Sequence, residues 1–317
     1  MIDVSHKSST LRTAKASARL TMRPETIQTV RDGRVPKGDP LMVARVAATQ
    51  AAKNTQAIIP YCHSMPLDFV GIDFTLSEDS IEVQAEVKVV WKTGVEMEAM
   101  TAATVAALTL YDMLKMIDED LVIHDVRLVS KTGGKSDFKE VFANPLRAAV
   151  LILSDTVAKG LKRDTAGEAV AHTLRQKGIS VEEVNVLPDD ETAIAERLQY
   201  YADELKMGFV LTIGGTGLGP RDVTPEATLR IIEREIPGLA DAMRSYGTMR
   251  TPHGMLSRAL AGQRGRTIIV NLPGSERGAM ESLSALLPAL LHACRVVQGG
   301  DHAEMVSRKI DNASNPA

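Results

Sequence analysis

A glycine loop at Lys92–Ala99 (Lys-Thr-Gly-Val-Glu-Met-Glu-Ala) delivers two carboxylates, Glu96 and Glu98, to the start of an alanine-rich helix. One helix later Asp112 and Lys115 stand three residues apart and so share a face. Acids, a carboxylate and an amine meeting around a loop suit proton transfer on a polar ligand. A surface helix with an i,i+3 ion pair satisfies the same spacing, and spacing alone favours that reading. A second chemical segment is Gly214-Gly215-Thr216-Gly217-Leu218-Gly219-Pro220, which follows the apolar run Phe209–Ile213. Such a turn lets several backbone N–H groups converge on an anion. It lacks the spacing of a dinucleotide fingerprint and the ending of a Walker loop. A structural turn and a phosphate cradle both remain open.

Acids flank that second loop. Asp222 follows it, and Asp189 and Asp190 follow the preceding apolar segment Val181–Leu187. In an open α/β sheet all three project from the edge where ligands bind. Asp189 and Asp222 are hard oxygen ligands suited to a Mg²⁺ that phosphates also coordinate. Asp190, before Glu191, reads as a helix cap. Asn271-Leu272-Pro273-Gly274-Ser275 again joins a strand end to a helix start, placing Ser275 where anions are favoured.

The elements that must carry these groups fall into two halves. The chain has 317 residues, long enough for two domains, with 44% hydrophobic and 24% charged residues. Aromatics are 3%, too few for base-stacking platforms, and the net charge of -3 gives no pull toward a polyanion. Nucleic acid is therefore not an expected partner. Cys62 and Cys294 are far apart, which fits reduced thiols in a cytoplasm. The start is polar, and no apolar run approaches a membrane span. The expected setting is cytoplasmic, without a membrane.

Before Asn144-Pro145 the strands read as half-exposed. Ile81, Val83, Ala85, Val87, Val89 and Trp91 alternate with polar residues, a period of two. Val70–Thr75 and Leu121–Val129 also look extended, with helices over about 40–54 and 96–117. The stretch through Arg23 is basic and poorly periodic. Strands with helices on one side predict an α+β sandwich. After residue 147 strands and helices alternate: strands at Ala148–Leu153, Val181–Leu187, Phe209–Ile213 and Thr267–Leu272, and helices starting near Asp164, Glu191, Thr224 and Glu276. Thr224 reads as a cap with Pro225 at the first helical position. This pattern predicts an α/β doubly wound parallel sheet. The expected domains are 1–143 and 144–300, with 301–317 as a tail.

In the first half, Tyr61-Cys62-His63 lies between a helix and a strand. No further Cys or His stands at metal-ligand spacing, and adjacent Cys and His side chains point apart, so neither a metal nor a Cys-His catalytic pair is expected. Lys37-Gly38-Asp39 alone is a solvated turn. Lys131-Thr132-Gly133-Gly134-Lys135-Ser136 is a basic loop able to embrace a triphosphate, or a plain hairpin.

Two resemblances organise these segments. Ser154-Asp155, Asp164–Gly167, Pro188-Asp189, the Gly-Gly-Thr-Gly run, Pro220–Thr228, Leu256-Ser257-Arg258-Ala259 and Asn271–Gly274 resemble the molybdopterin-binding domain, closest to its molybdopterin adenylyltransferase branch, over about 147–298. That resemblance implies Mg-ATP-dependent adenylylation of molybdopterin, with metal and catalytic roles at Asp189 and Asp222 and ligand contacts at Gly214, Gly215, Thr216, Gly217 and Ser275. A non-catalytic pterin-binding or oligomerising module is the other reading.

Met1–Ser5, Asp32-Gly33-Arg34, Lys37-Gly38-Asp39, Gln50–Lys53, Cys62-His63, Lys92–Ala99, Tyr111-Asp112-Met113 and Gly133–Ser136 resemble cyclic pyranopterin monophosphate synthase over about 1–140. The resemblance implies a ferredoxin-like fold, a hexamer with sites at subunit contacts, and no cofactor in this half. It implies a cyclised dihydroguanosine triphosphate as substrate, with Asp112 the active-site acid and Lys37 and Lys115 catalytic lysines. Tyr61, Cys62, His63, Glu96, Met97 and Glu98 would touch substrate, and Lys131 and Lys135 its phosphates. Lysines near other cations are expected to have lowered pKa values. Tyr61 and Ser64 stand where the family usually has Leu and Pro, and the glycine usual after the Gly-Gly-Lys-Ser loop is missing before Asp137.

Overall fold

The computed structural model describes residues 1–138 and 140–299, except the side chains of Lys135 and Ser136. The expected tail therefore lies outside the described residues. The chain forms two compact units, the first ending at Phe138. That division precedes the expected linker at Asn144-Pro145. The buried Glu140 carboxylate binds His292 and Arg295, and Phe142 packs on the second unit's core, so these residues belong to the later unit.

In the first unit β1 (Thr10–Thr21) leads through α1 (Pro24–Arg31), α2 (Pro40–Lys53) and the short α3 (Thr55–Ile58) to β2 (Phe69–Leu76) and β3 (Ser80–Trp91). Helix α4 (Glu96–Leu114) and β4 (Val122–Thr132) complete it. The sheet order is β2-β3-β1-β4 and every pairing is antiparallel. One sheet face is buried by α2 and α4, whose contact residues are mostly alanines, including Ala44, Ala48, Ala99, Ala103 and Ala106. Small side chains let these helices approach the sheet closely. Helix α4 runs from just after the Gly94 loop to Leu114, with Lys115 at its C-cap.

The poorly periodic stretch before Arg23 is in fact β1, a central strand. Its inward residues are Ala14, Ala16, Ala18 and Leu20, all at most 1% exposed, alternating with Lys15, Ser17 and Arg19. The period of two was present, but alanine carries little apolar contrast and weak strand preference.

The second unit runs β5 (Arg147–Leu153), α5 (Asp155–Ala158), α6 (Ala166–Gln176), β6 (Ser180–Leu187), α7 (Glu191–Asp203), β7 (Phe209–Ile213) and α8 (Thr224–Ile231). It ends with β8 (Arg234–Glu235), α9 (Pro237–Thr248), β9 (Ala261–Arg264), β10 (Thr267–Leu272) and α10 (Glu276–Val297). The sheet order is β6-β5-β7-β10-β9-β8. Its first four strands are parallel, and β9 and β8 add an antiparallel edge. One core packs α6, α9 and α10 on one face, and another packs α7 and α8 on the opposite face. Helices therefore cover both faces, as a doubly wound sheet requires.

Chain order reverses at β5, with β6 on one side and β7 on the other. The carboxyl ends of β5 and β7 thus form the crevice where such sheets bind ligands. Two expectations need correction. Thr224 does not cap α8; its hydroxyl donates to the Gly214 carbonyl at 2.9 Å. Helix α10 is, by length and composition, apolar enough to cross a membrane. It nevertheless buries Ala279, Leu283, Leu286, Leu287 and Leu290 in the sheet core and carries Arg277, Glu281 and Arg295, as a core helix does.

Candidate active sites

Lys37, Asp112 and Lys115 come together within one chain. The Lys37 ammonium donates to the Asp112 carbonyl at 2.7 Å and to its carboxylate at 2.9 Å. Lys115 reaches the other carboxylate oxygen at 2.7 Å. Asp39 fixes the Lys37 turn by accepting from Leu41 and Met42 N–H groups at the start of α2. Hydrogen bonds from Lys115, then Lys37, push the Asp112 carboxyl down to about 2. Asp112 in turn pushes Lys115 up, so the expected lowering by neighbouring cations does not occur at Lys115. A carboxylate with an ammonium on each oxygen can exchange a proton with either once a ligand disturbs the balance.

The glycine-loop acids lie elsewhere. Glu96 and Glu98 occupy the first turn of α4 and Asp112 its last, roughly 24 Å apart along the helix axis. The expected meeting of these acids with Asp112 and Lys115 around one loop therefore does not happen within a single chain. Glu98 is 3% exposed, and among the described residues one of its carboxylate oxygens has no partner. Burial pushes its pKa up, and the Cys62 thiol donates to its other oxygen at 3.1 Å. Burial, then Glu98, pushes the Cys62 thiol up to about 12, so Cys62 is a neutral donor and not a nucleophile. His63 bonds the Ile2 carbonyl at 2.8 Å, folding the N-terminus over this region. Tyr61, Cys62, His63, Met97 and Glu98 line a cavity of about 710 Å³.

Beside it is a smaller cavity of about 90 Å³ bounded by Arg12, Glu96, Lys131 and Gly134. Lys131 pairs with Glu96 at 3.0 Å. Sequence reasoning missed Arg12, which is 9% exposed and, among the described residues, donates only to the Trp91 carbonyl. Its signal was an arginine on the alternating strand β1, invisible while β1 was read as irregular. The Lys135 side chain lies outside the described residues. Gly133 has φ +93°, and a Cβ there would strike the Leu11 carbonyl at 1.8 Å, so β1 and the basic loop touch only because this residue is glycine.

In the second unit, the segments after β5, β6, β7 and β10 converge. Gly214 has φ +112° and lies so close to β5 that a Cβ would meet the Leu153 carbonyl at 2.2 Å. Its N–H donates to Leu272, which joins the Gly214–Gly217 loop to the turn carrying Ser275. Ser275 caps α10 by accepting from Gly278 N–H at 3.2 Å, and lines a cavity of about 210 Å³. Among the described residues, the amides of Gly215, Thr216, Gly217 and Leu218 donate to no protein acceptor.

Asp189 exchanges backbone-to-carboxylate bonds with Asp155 at 3.1 and 3.3 Å. Arg221 grips both Asp155 oxygens, at 2.8 and 2.9 Å in its nearest contacts. Among the described residues, one oxygen of Asp189 is buried without a partner, and it lies near Gly215. Burial, and then the Asp155 and Asp222 charges, push the Asp189 pKa up. Asp222 folds back over the loop, its carboxylate accepting from Gly219 N–H at 2.8 Å. Asp190 caps α7 through Ala193 N–H at 2.9 Å, as expected. An unpartnered, electrostatically strained carboxylate oxygen beside free amides fits a divalent cation arriving with phosphates. Among the described residues no group of three or more His, Cys, Asp or Glu could hold a metal alone. Magnesium is commonly held by one or two carboxylates plus substrate phosphates, so the donor set remains compatible.

Comparison with known proteins divides the chain in the same way. The MoaC family matches residues 1–134, and the family described as "Probable molybdopterin binding domain" matches residues 149–292. A molybdenum cofactor biosynthesis bifunctional protein of Chlorobaculum tepidum is 41% identical over 303 residues, covering 96% of each chain. The chain belongs to the bifunctional molybdenum cofactor biosynthesis proteins. Another bifunctional protein, from Synechococcus elongatus, is 36% identical over 95% of this chain and 98% of its own length. The N-terminal unit is similar to cyclic pyranopterin monophosphate synthase of Heliobacterium modesticaldum, 52% identical over 43% of this chain and 87% of that protein. The crystal structure of the molybdopterin biosynthesis enzyme MoaB from Thermus thermophilus aligns with 49% of this chain and 97% of its own, at 45% identity and TM-score 0.47.

Proposed function

We propose that this chain is a bifunctional enzyme of molybdenum cofactor biosynthesis with two separate active sites, one in each of two domains that divide after Phe138. The N-terminal domain is a cyclic pyranopterin monophosphate synthase that converts a cyclised dihydroguanosine triphosphate to cyclic pyranopterin monophosphate and pyrophosphate. The Lys37–Asp112–Lys115 cluster carries this reading, because rearranging the ring and closing a cyclic phosphate needs groups that give and take protons. Arg12, Lys131 and Lys135 would hold the triphosphate, stabilising the pyrophosphate leaving group. Tyr61 to His63 and Glu96 to Glu98 would bind the ring system in the larger cavity.

Because these two sets sit at opposite ends of α4, a substrate touching both requires a second copy of the chain. That separation supports a homo-oligomer, proposed as a hexamer formed through the N-terminal domain. The strand order β2-β3-β1-β4 with helices on one face supports a ferredoxin-like assignment. The two free cysteines fit a reducing cytoplasmic setting.

The C-terminal domain adenylylates molybdopterin with Mg-ATP. A phosphate oxygen of the pterin attacks the α-phosphorus of ATP, the bond from that phosphorus to the bridging oxygen breaks, and pyrophosphate leaves. The free amides of Gly215 to Leu218 hold phosphate oxygens, and the turn at Ser275 meets the pterin. Asp189 and Asp222 would hold Mg²⁺, which neutralises charge developing on the departing pyrophosphate. The buried, unpartnered oxygen of Asp189 is the observation that supports a cation there. The test is to assay both reactions on the intact chain and on Asp112→Asn and Asp222→Asn. Each variant should lose one reaction and keep the other. Unchanged adenylylation in Asp222→Asn would leave the C-terminal domain a pterin-binding module.

A further inference from the structure

Arg258 lies in the loop before β9, 36 residues or more from the glycine loop and Asp222. Its backbone N–H donates to the Thr216 carbonyl at 2.9 Å. Its Nε donates to the Gly217 carbonyl at 2.7 Å, one terminal nitrogen to the Asp222 carbonyl, and the other to the Glu226 carboxylate. Residue 258 thus takes three carbonyls from the segment 216–222. Gly214 and Gly215 are held by β10 and α8, through Leu272, Thr224 N–H and the Thr224 hydroxyl. Beyond them, among the described residues, the backbone anchors of the loop to other elements all come from Arg258.

The consequence is directional. A loop whose carbonyls turn toward one guanidinium presents its amides away from it, and the amides of Gly215 to Leu218 are the free ones. The same guanidinium fixes the backbone of Asp222, whose carboxylate lies 2.8 Å from Gly219 N–H. Every nitrogen of Arg258 has an acceptor in the protein, so its charge is not directed at phosphate. Exposed Arg221, held among the described residues only by Asp155, is the cation of this loop left able to move toward a nucleotide.

We propose that Arg258 is a positioning residue for adenylyl transfer, locking the phosphate-binding loop and Asp222 into one preorganised unit. The proposal rests on the adenylyl-transfer reading above. A lysine in its place offers a point charge that cannot span three acceptors in fixed directions. A lost fork should misplace Asp222 and cost the reaction about 10²-fold in kcat.

The experiment measures pyrophosphate release with molybdopterin and Mg-ATP on the full chain, for wild type, Arg258→Lys and Arg258→Ala. The dissociation constant for Mg-ATP and the melting temperature are read alongside. Arg258→Lys should lose most of kcat, and its Mg-ATP dissociation constant should weaken about tenfold through lost preorganisation. Free guanidinium at non-denaturing concentration should restore about tenfold of the activity missing in Arg258→Ala, because it can refill the fork. A merely structural residue would give a lowered melting temperature that guanidinium lowers further. Wild-type kcat in Arg258→Lys, or no rescue of Arg258→Ala, overturns the proposal. If wild type binds Mg-ATP without turnover, the adenylyl-transfer reading fails, and Arg258 is judged on binding: an unchanged dissociation constant in Arg258→Lys then overturns it.

Discussion

Asp112, in the last turn of α4, and Asp189, just after β6, each lie in a candidate site, yet their surroundings push them in opposite directions. Asp112 receives one ammonium on each oxygen, and its carboxyl falls to about 2. Asp189 has two carboxylates for neighbours and, among the described residues, one buried oxygen without a partner, and its pKa rises. The first cluster brings its own cations on Lys37 and Lys115. The second gathers carboxylates that Arg221 offsets only in part, and a cation from solution would relieve the rest. In the proposed reading, one site does proton-transfer chemistry with amines supplied by the chain, and the other takes a metal that travels with its substrate.

The largest expected effect is at Asp112. Asp112→Asn should lower cyclic pyranopterin monophosphate formation by about 10²–10⁴-fold, the range for removing a positioned acid or base, while adenylylation stays unchanged. Next, Asp222→Asn should lower ATP-dependent pyrophosphate release by about 10²-fold or more and leave the N-terminal reaction intact. Equal loss of both reactions in either variant would break the comparison.

Carboxyl NMR titration sharpens it. Asp112 should titrate near pH 2, below its ordinary 3.8, and Asp189 above 3.8. The signs differ. Because the folded pKa of Asp112 is depressed, its ion pairs stabilise the fold above pH 3.8 and that contribution disappears as pH falls through about 2. The raised pKa of Asp189 favours the protonated fold, a contribution present below the unfolded value and lost as pH rises through the folded one. Added Mg²⁺ should move Asp189 down and leave Asp112 in place. The smallest effect concerns Cys62, whose thiol is raised to about 12 by burial and then by Glu98. Glu98→Gln removes the carboxylate's share, so iodoacetamide should modify Cys62 faster at a fixed pH, by about tenfold or less. Cys294, raised by burial alone, should stay unreactive.

Much of this organisation is legible in the sequence, and what is not has physical reasons. The strict alternation of Ile81 to Trp91 gave β3, and the continuous apolar runs at Phe209 and Thr267 gave β7 and β10. Strand β1 was missed because alanine at 14, 16 and 18 blurs the contrast between faces, and Arg12 was missed with it. Helices α1 and α9 were missed although each begins with proline, Pro24 and Pro237, at a first helical position. The acids and lysines were found as residue types at the right ends of elements. Their grouping was only partly legible, since the length of α4 keeps Glu96 and Glu98 away from Asp112. The role of Arg258 was hidden because its acceptors are 32 to 42 residues away in the chain.

The central claim is that one site carries its cations in the polypeptide and the other imports one. The direct measurement follows both reactions on the same intact protein before and after a chelator removes divalent ions. Loss of adenylylation with restoration by Mg²⁺, and cyclic pyranopterin monophosphate formation unaffected throughout, is the predicted result. Adenylylation that persists in the chelator, or a pterin-forming reaction that stops with it, would contradict the account.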